Sequence, residues 1–413
     1  MSERWYWLDW LRVLAMGTIF LYHSGRPFMI DDSWHIMNPE PDLLFTIVIV
    51  FVSGWIMPLF FVISGMATCF SLAKRSPAQF ANDRFKRLMI PFLLPGLLVI
   101  LPVHVYYDKI FHGSFAGGFA NFYLGPYFTN EYFPFDTDFS PTYLANSNQG
   151  VYLWYVFWLF VFSLVTVHFF KWLMKEGNRS RISKLGTACN RRGGMFLLAI
   201  SIIIVNIAAV PPFFVFPSGY GGWKLPTYLA IFITAYVLAC DPKFEESIHK
   251  NRTVTLLMGT ILSLSQIILL GTVGAEALLS PHPLTYVTVS AVYALNAWCW
   301  VIAILGYGRK LLSFNHRFLE ISNERVAVLY SPPDCNRGDR VLCCRVESDG
   351  DRKVSHHSPG FVRYDMRSTV SCQTNQSAQI LVWNEAEEGI EMSRTVVVSL
   401  VLSVWVAPTA SRW

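Results

Sequence analysis

Long apolar runs recur until about residue 306 of this 413-residue chain and constrain its fold more than any other feature. A run of about 20 apolar residues is long enough for an α-helix to cross a bilayer. We predict eight such segments, and hence an all-α, polytopic transmembrane helix bundle. The segments are residues 7–24, 44–70, 88–107, 151–172, 195–216, 224–240, 253–273 and 285–306.

The composition supports a membrane protein. Hydrophobic residues make up 53% of the chain and charged residues only 15%, too few to cover the surface of a soluble protein of this length. The net charge of +5 arises from Lys and Arg concentrated in alternate loops. We therefore predict membrane lipid as a partner and no nucleic acid.

The distribution of basic residues predicts the orientation. Lys and Arg cluster in loops 71–87, 171–193 and 241–252 and again after residue 306, whereas the intervening loops contain few. Basic loops stay on the cytoplasmic side of a membrane. We expect a multi-pass plasma-membrane protein, bacterial or archaeal, with a cytoplasmic N-terminus.

The first apolar segment contains two side chains that are energetically costly to bury in a membrane, Arg12 and His23. His23 lies eleven positions after Arg12, which is about three helical turns, so both should leave one face about 16 Å apart. Ionisable groups inside a membrane usually mark a functional site. The alternative is that Arg12 extends to the membrane surface and His23 ends the helix.

Four motifs in order give a family resemblance. The first segment has LDWLRVLA and then FLYH, so that an Arg, ten residues and a His lie on one helix. PLFFVISGM, RFKRLMIP and GVYLWYVFWLF follow at residues 58–66, 84–91 and 150–160. Together they resemble the membrane-bound acyltransferase family 3, over about residues 1–320, and within it most closely the glucans biosynthesis protein C group.

The resemblance implies an activity and an architecture. Such an enzyme would be an O-acyltransferase with about ten helices. It would move an acetyl or succinyl group from cytoplasmic acyl-CoA, a donor substrate rather than a bound cofactor, to a hydroxyl of an extracytoplasmic glucan or other polysaccharide. Two other interpretations stay open: a transporter whose path is lined by Arg12 and His23, and a non-catalytic partner of a polysaccharide export complex. We see no internal repeat of the kind common in transporters.

The resemblance and the residue chemistry together suggest roles. A His acts near neutral pH as a general base or a transient acyl carrier, and His23 would lie in the outer half of its helix. Arg12, deeper toward the cytoplasm, would hold the donor or stabilise developing charge. Arg84 and Arg87 are three residues apart, on one α-helical face, and could grip the CoA phosphates or simply anchor the helix at the membrane surface. For Ser64-Gly65 we expect close helix packing.

Two further features remain open. The outer loop 108–150 is rich in aromatic and acidic residues, which could stack on a sugar or rest at the membrane interface. We interpret four cysteines that are isolated in the sequence as packing residues and predict no metal site. These are Cys69, Cys189, Cys240 and Cys299.

The character of the chain changes near residue 325. From about residue 325 the chain is polar and turn-rich as far as a short apolar run at residues 395–407, whereas the resemblance implies two more membrane helices here. One interpretation is a genuine tail, with Cys335, Cys343, Cys344 and Cys372 as metal or disulfide candidates. We favour another, that the tail is translated out of frame and is poorly ordered. Moving the codons forward by one base allows residues 326–336 to become Leu-Pro-Phe-Tyr-Ile-Leu-His-Gln-Thr-Val-Ile, an apolar helix.

This hypothesis makes a direct prediction. The coding DNA should contain a single-base change near codon 325, beyond which the restored frame encodes two apolar segments. DNA sequencing and peptide mass measurement of the tail check it. An unbroken frame, together with tail peptides of the masses written here, would end the hypothesis.

Overall fold

The computed structural model describes residues 5–30, 37–111, 113, 115–127, 154–209, 223–274, 282–316 and 319. The elements formed by these residues are helical, which confirms the predicted all-α class. The α-helices are α1 (Tyr6–Gly25), α2 (Leu43–Ser53), α3 (Ile56–Ala73), α4 (Pro77–Arg84), α5 (Leu101–Phe111), α6 (Phe119–Phe122), α7 (Trp154–Leu173), α8 (Glu176–Cys189), α9 (Phe196–Ala208), α10 (Leu225–Leu238), α11 (Pro242–Val273) and α12 (Pro283–Leu311). A 3₁₀ turn occurs at Arg26–Phe28, and π-helical stretches occur at Phe85–Met89, Phe92–Ile100 and Tyr123–Tyr127.

Each of the eight predicted segments contains a helix. Within the described part of the chain, five helical runs are long and apolar enough to cross a membrane, namely Leu43–Ala73, Pro77–Phe111, Trp154–Leu173, Pro242–Val273 and Pro283–Leu311. The other three segments form α1, α9 and α10. Helices α9 and α10 are shorter, with 13 and 14 residues, and α1 carries two charged side chains.

Two regions that we expected to be loops contain helices. Within 171–193 the chain forms α8, which buries a stripe of residues spaced at helical intervals. Within 241–252 it forms the first turns of α11, because the Asp241 carboxylate accepts a hydrogen bond from the Lys243 N–H and Pro242 occupies the first helical position. We expected loops in both regions because they are rich in charged residues.

Helix α3 lies at the centre of the core. Residues 56–69 are buried with the exception of Ser64, which is half-buried. A break at Gly54 and Trp55 separates α3 from α2, so the predicted segment 44–70 is two helices rather than one. Helices α1, α7 and α10 all pack on α3.

Gly65 allows α3 and α10 to approach closely. A Cβ atom at this position would lie 2.5 Å from the Phe232 carbonyl oxygen and 2.7 Å from the Ala235 Cβ. Backbone cannot move away as a flexible side chain can, so this position needs glycine. The expected packing role of the Ser64-Gly65 pair is therefore met by Gly65.

The end of α3 is held by a cation from α7. The Lys171 ammonium donates to the carbonyl oxygens of Leu72, at 2.9 Å, and Arg75, at 2.8 Å. A positive charge there satisfies the exposed carbonyls of the helix and complements its dipole. A capping box between Ser76 and Gln79 then starts α4, which turns the chain back toward the core.

The Gly65 contact gives a stability prediction. Gly65→Ala should lower the free energy of unfolding by about 1–3 kcal/mol, because the added methyl overpacks a backbone contact. Thermal unfolding of the purified protein in detergent measures the effect. Gly17→Ala is the matched control, since no atom lies within 4 Å of a Cβ there. Equal melting temperatures for the two variants would contradict the packing account.

Candidate active site

Helix α1 turns both of its predicted site residues away from its exposed side. Leu14 and Leu21 are 51% and 68% exposed, whereas Arg12 is only 9% exposed. Arg12 and His23 each lie about 200° around the helix from one of these leucines. Because α1 packs on α2, α3 and α12, the two side chains lie on its interior side, where His23 is half-buried.

A carboxylate that our sequence analysis missed accompanies Arg12. The Asp9 Oδ1 lies 3.2 Å from the Arg12 Nη1, and Asp9 is 4% exposed. The two are one helical turn apart, a spacing at which opposite charges meet. Burying a guanidinium in an apolar bundle requires such a partner.

Arg84, at the last residue of α4, is fixed by α3. Its Nη2 donates a 2.8 Å hydrogen bond to the Thr68 hydroxyl, and its guanidinium carbon lies 5.0 Å from the centre of the Phe80 ring. Thr68 in turn donates to the Ser64 carbonyl oxygen at 2.8 Å. The planar group is thus held on two sides while remaining half-buried.

Tyr155 of α7 extends this network. Its hydroxyl lies 2.6 Å from the Ser64 Oγ and also donates to the Phe60 carbonyl oxygen at 3.2 Å. The same hydroxyl interacts electrostatically with Arg12 and Arg84. Ser64 therefore belongs to a polar network, whereas its neighbour Gly65 has the packing role. The sequence did not reveal this network because Tyr155 is 91 residues away from Ser64.

Four arginines form a cationic group at this end of the bundle. The charge of Arg84 interacts with those of Arg12, Arg75 and Arg87. Arg87 lies in the π-helical stretch that begins directly after Arg84, so the regular α-helical face that we expected for this pair does not form. The helix changes from α to π between Arg84 and Arg87, but the two positive charges are still close enough to repel each other.

Carboxylates near this group pair with two of its members, and the charge of Asp83 also attracts Arg87. Asp9 pairs with Arg12, and the Asp83 Oδ2 lies 2.8 Å from the Arg75 Nε. Among the residues that the structure describes, Arg84 and Arg87 have no carboxylate within salt-bridge distance. A partly buried cation of this kind favours an anionic ligand, and the guanidinium fork matches phosphate.

His23 lies in different surroundings, toward the other end of α1. Its ring is 5.2 Å from the Tyr22 ring in an edge-on arrangement. Tyr22 lies near Tyr228 and Tyr293, and the Tyr293 ring lies 4.6 Å from that of Trp223. The predicted residues therefore divide into a cationic end and an aromatic end, joined by the interior side of α1.

The outer loop 108–150 is described only in its first part. There the rings of Phe122 and Tyr127 are fully buried, and Tyr127 donates a hydrogen bond to the Leu97 carbonyl oxygen. These two rings pack against the helices and do not offer a face to a sugar. The rest of the loop, and the tail 325–413 with its four cysteines, lie outside the described residues.

Comparison with known proteins identifies the class. The acyltransferase family 3 model, described as an acyltransferase domain, matches residues 5–327. This chain belongs to that family. It is a multi-pass membrane protein with an acyltransferase family 3 domain, as the apolar segments and the four motifs predicted.

One curated relative adds detail. Glucans biosynthesis protein C from Escherichia coli (strain SMS-3-5 / SECEC) is 30% identical over 101 residues. The match spans about a quarter of each protein, 24% of this chain and 26% of the relative. No solved structure matches this chain.

The buried ion pair on α1 gives the next prediction. Asp9→Ala should lower the free energy of unfolding by about 3 kcal/mol, because it removes a carboxylate from a buried guanidinium. Asp42→Ala is the control. It removes the exposed cap of α2, which accepts from the Leu44 and Phe45 N–H groups, and should cost about 1 kcal/mol. Chemical denaturation in mixed micelles compares the two. A smaller loss for Asp9→Ala than for the control would contradict the assignment.

Proposed function

We propose that this protein is an O-acyltransferase that moves an acetyl or succinyl group from cytoplasmic acyl-CoA to a hydroxyl of an extracytoplasmic glucan or related polysaccharide. The observation that supports this most is the arrangement on α1. One interior helix side carries a cation beside an arginine group and, about 16 Å away, a half-buried imidazole.

Acyl-CoA fits the cationic end as a donor. Its phosphates need several fixed cations, and Arg84 is held by Thr68 and Phe80 without a carboxylate of its own within the described part of the chain. Arg87 is its near neighbour and would complete the phosphate site. Arg12, paired with Asp9, lies closer to the interior and would face the inner part of the donor.

The separation between the two ends suits this donor. CoA carries its phosphates far from its thioester, at the other end of a flexible pantetheine arm. Phosphates held near Arg84 would allow the acyl group to reach along the interior side of α1 toward His23. A compact donor would not need sites so far apart.

His23 would act as the general base. Its ring nitrogen would accept the proton of the acceptor hydroxyl while that oxygen attacks the acyl carbonyl, and the CoA thiolate would leave. This role needs a half-buried imidazole within reach of the outer side, which follows if the N-terminus is cytoplasmic as the basic residues predict. Tyr22 and Tyr293, which are half-buried, would offer ring faces and hydroxyls to a sugar.

The proposal predicts different kinetic effects at the two ends. His23→Ala should lower kcat by at least about 10²-fold and leave the affinity for acyl-CoA unchanged, because it removes a base and not a donor contact. Arg84→Gln should raise the KM for acyl-CoA by about 10-fold or more with a smaller change in kcat, because it removes a charged hydrogen-bond donor. Labelled acetyl-CoA and an oligosaccharide acceptor, with the protein in proteoliposomes, provide both measurements.

Lys86→Gln is the matched control for Arg84→Gln. Lys86 is exposed, lies two residues from Arg84, and has the same charge, so donor KM should be unchanged. An equal rise in KM for Lys86→Gln would show that general charge, and not a phosphate site, is responsible. Movement of a solute across the membrane without acyl transfer would overturn the acyltransfer scheme in favour of a transporter.

A further inference from the structure

Two cysteines that are far apart in the sequence meet in the structure. The Cys69 Sγ on α3 lies 3.5 Å from the Sγ of Cys240, which is two residues beyond the end of α10. Both are free thiols; Cys69 is buried and Cys240 is partly exposed. The sequence predicts separate packing roles for them, because they lie 171 residues apart along the chain.

The helix packing explains why they meet. Gly65 lies one turn before Cys69, and Tyr236 lies one turn before Cys240. The Cβ position of Gly65 is only 3.3 Å from the Tyr236 backbone nitrogen, so α3 and α10 are already in backbone contact there. One turn further along both helices, the two sulfurs face each other across the same contact. The backbone contact brings the two helices close enough for the sulfurs to meet.

We propose that Cys69 and Cys240 form a redox-sensitive thiol pair that a hydroperoxide converts to a disulfide, and that the disulfide weakens anion binding at Arg84. The sulfurs would move from 3.5 Å to about 2 Å apart. Cys69 is adjacent to Thr68, whose hydroxyl holds the Arg84 guanidinium, so a shift at the end of α3 displaces that contact. The second half of the proposal rests on the proposed function; the first half does not.

The chemistry balances with hydrogen peroxide as the oxidant. The Cys240 sulfur, which is accessible, attacks one peroxide oxygen, the O–O bond breaks, and hydroxide leaves to give a sulfenic acid. The Cys69 sulfur then attacks the Cys240 sulfur, the S–S bond forms, and a second hydroxide leaves. The two thiol protons convert both hydroxides to water. Two electrons pass from the thiols to the peroxide.

Burial separates this pair from another cysteine of the bundle. Cys189 is fully buried, so a peroxide in water does not reach its sulfur. It provides a control cysteine on a neighbouring helix.

The test uses the full-length protein in nanodiscs. Reduced protein is treated with an equimolar amount of hydrogen peroxide, quenched with an alkylating reagent and digested. Mass spectrometry should find a peptide pair joined through Cys69 and Cys240, which a dithiol reductant separates. Cys189→Ser should retain the linked pair, and Cys69→Ser and Cys240→Ser should each lose it. Absence of the linked pair from oxidised wild type, or its persistence in either single variant, would overturn the thiol pair.

Acetyl-CoA binding tests the consequence. Oxidised wild type should bind acetyl-CoA at least threefold more weakly than reduced wild type, and peroxide should have no effect on binding by Cys69→Ser. Equal affinities for linked and reduced protein would overturn the coupling to Arg84. If the reduced protein does not bind acetyl-CoA, the proposed donor is wrong. Whether the disulfide forms is decided separately, by the linked peptide in the mass spectrum.

Discussion

Guanidinium groups enclosed by apolar helices need fixed partners, and this requirement shapes the centre of the molecule. Arg12 has Asp9 one turn away on its own helix, and Arg84 has Thr68 and the Phe80 ring on either side. Charged groups without such partners would be expelled toward water or would destabilise the bundle. The helices that supply these partners, α1, α3 and α4, are therefore the ones that define the site.

Helix α3 serves two purposes on neighbouring stripes. Ser64 and Thr68 are one turn apart and face the polar network of Tyr155 and Arg84. Each of the next residues, Gly65 and Cys69, is rotated by about 100° and faces α10. Close packing on the second stripe fixes the rotation of the helix, and the rotation fixes where the polar stripe lies. On the proposal above, a change in packing at α10 would shift α3 and so reach the arginine group.

The membrane-spanning pattern and the interior placement of Arg12 and His23 could be predicted, because helical periodicity is local and the cost of burying charge is general. The helix in 171–193 and the early start of α11 could not, because a basic surface helix resembles a polar loop in composition. The sequence did not reveal which side chains contact the predicted site residues. Tyr155 and Cys240 reach α3 only through tertiary contacts over 91 and 171 residues, and no sequence spacing encodes such distances. The change from α to π winding after Arg84 was equally hidden, since it depends on packing.

The central claim is that the interior side of α1 connects a phosphate-binding end to a reaction centre at His23. An acyl-CoA analogue with a photoreactive diazirine at its acyl end tests it most directly, when cross-linked to the protein in membranes and mapped by mass spectrometry. The account predicts labelling of α1 peptides around His23, which excess acetyl-CoA prevents and Arg84→Gln weakens. Labelling that instead falls on the exposed side of α11, around Leu257 and Ile261, and persists with excess acetyl-CoA, would contradict it.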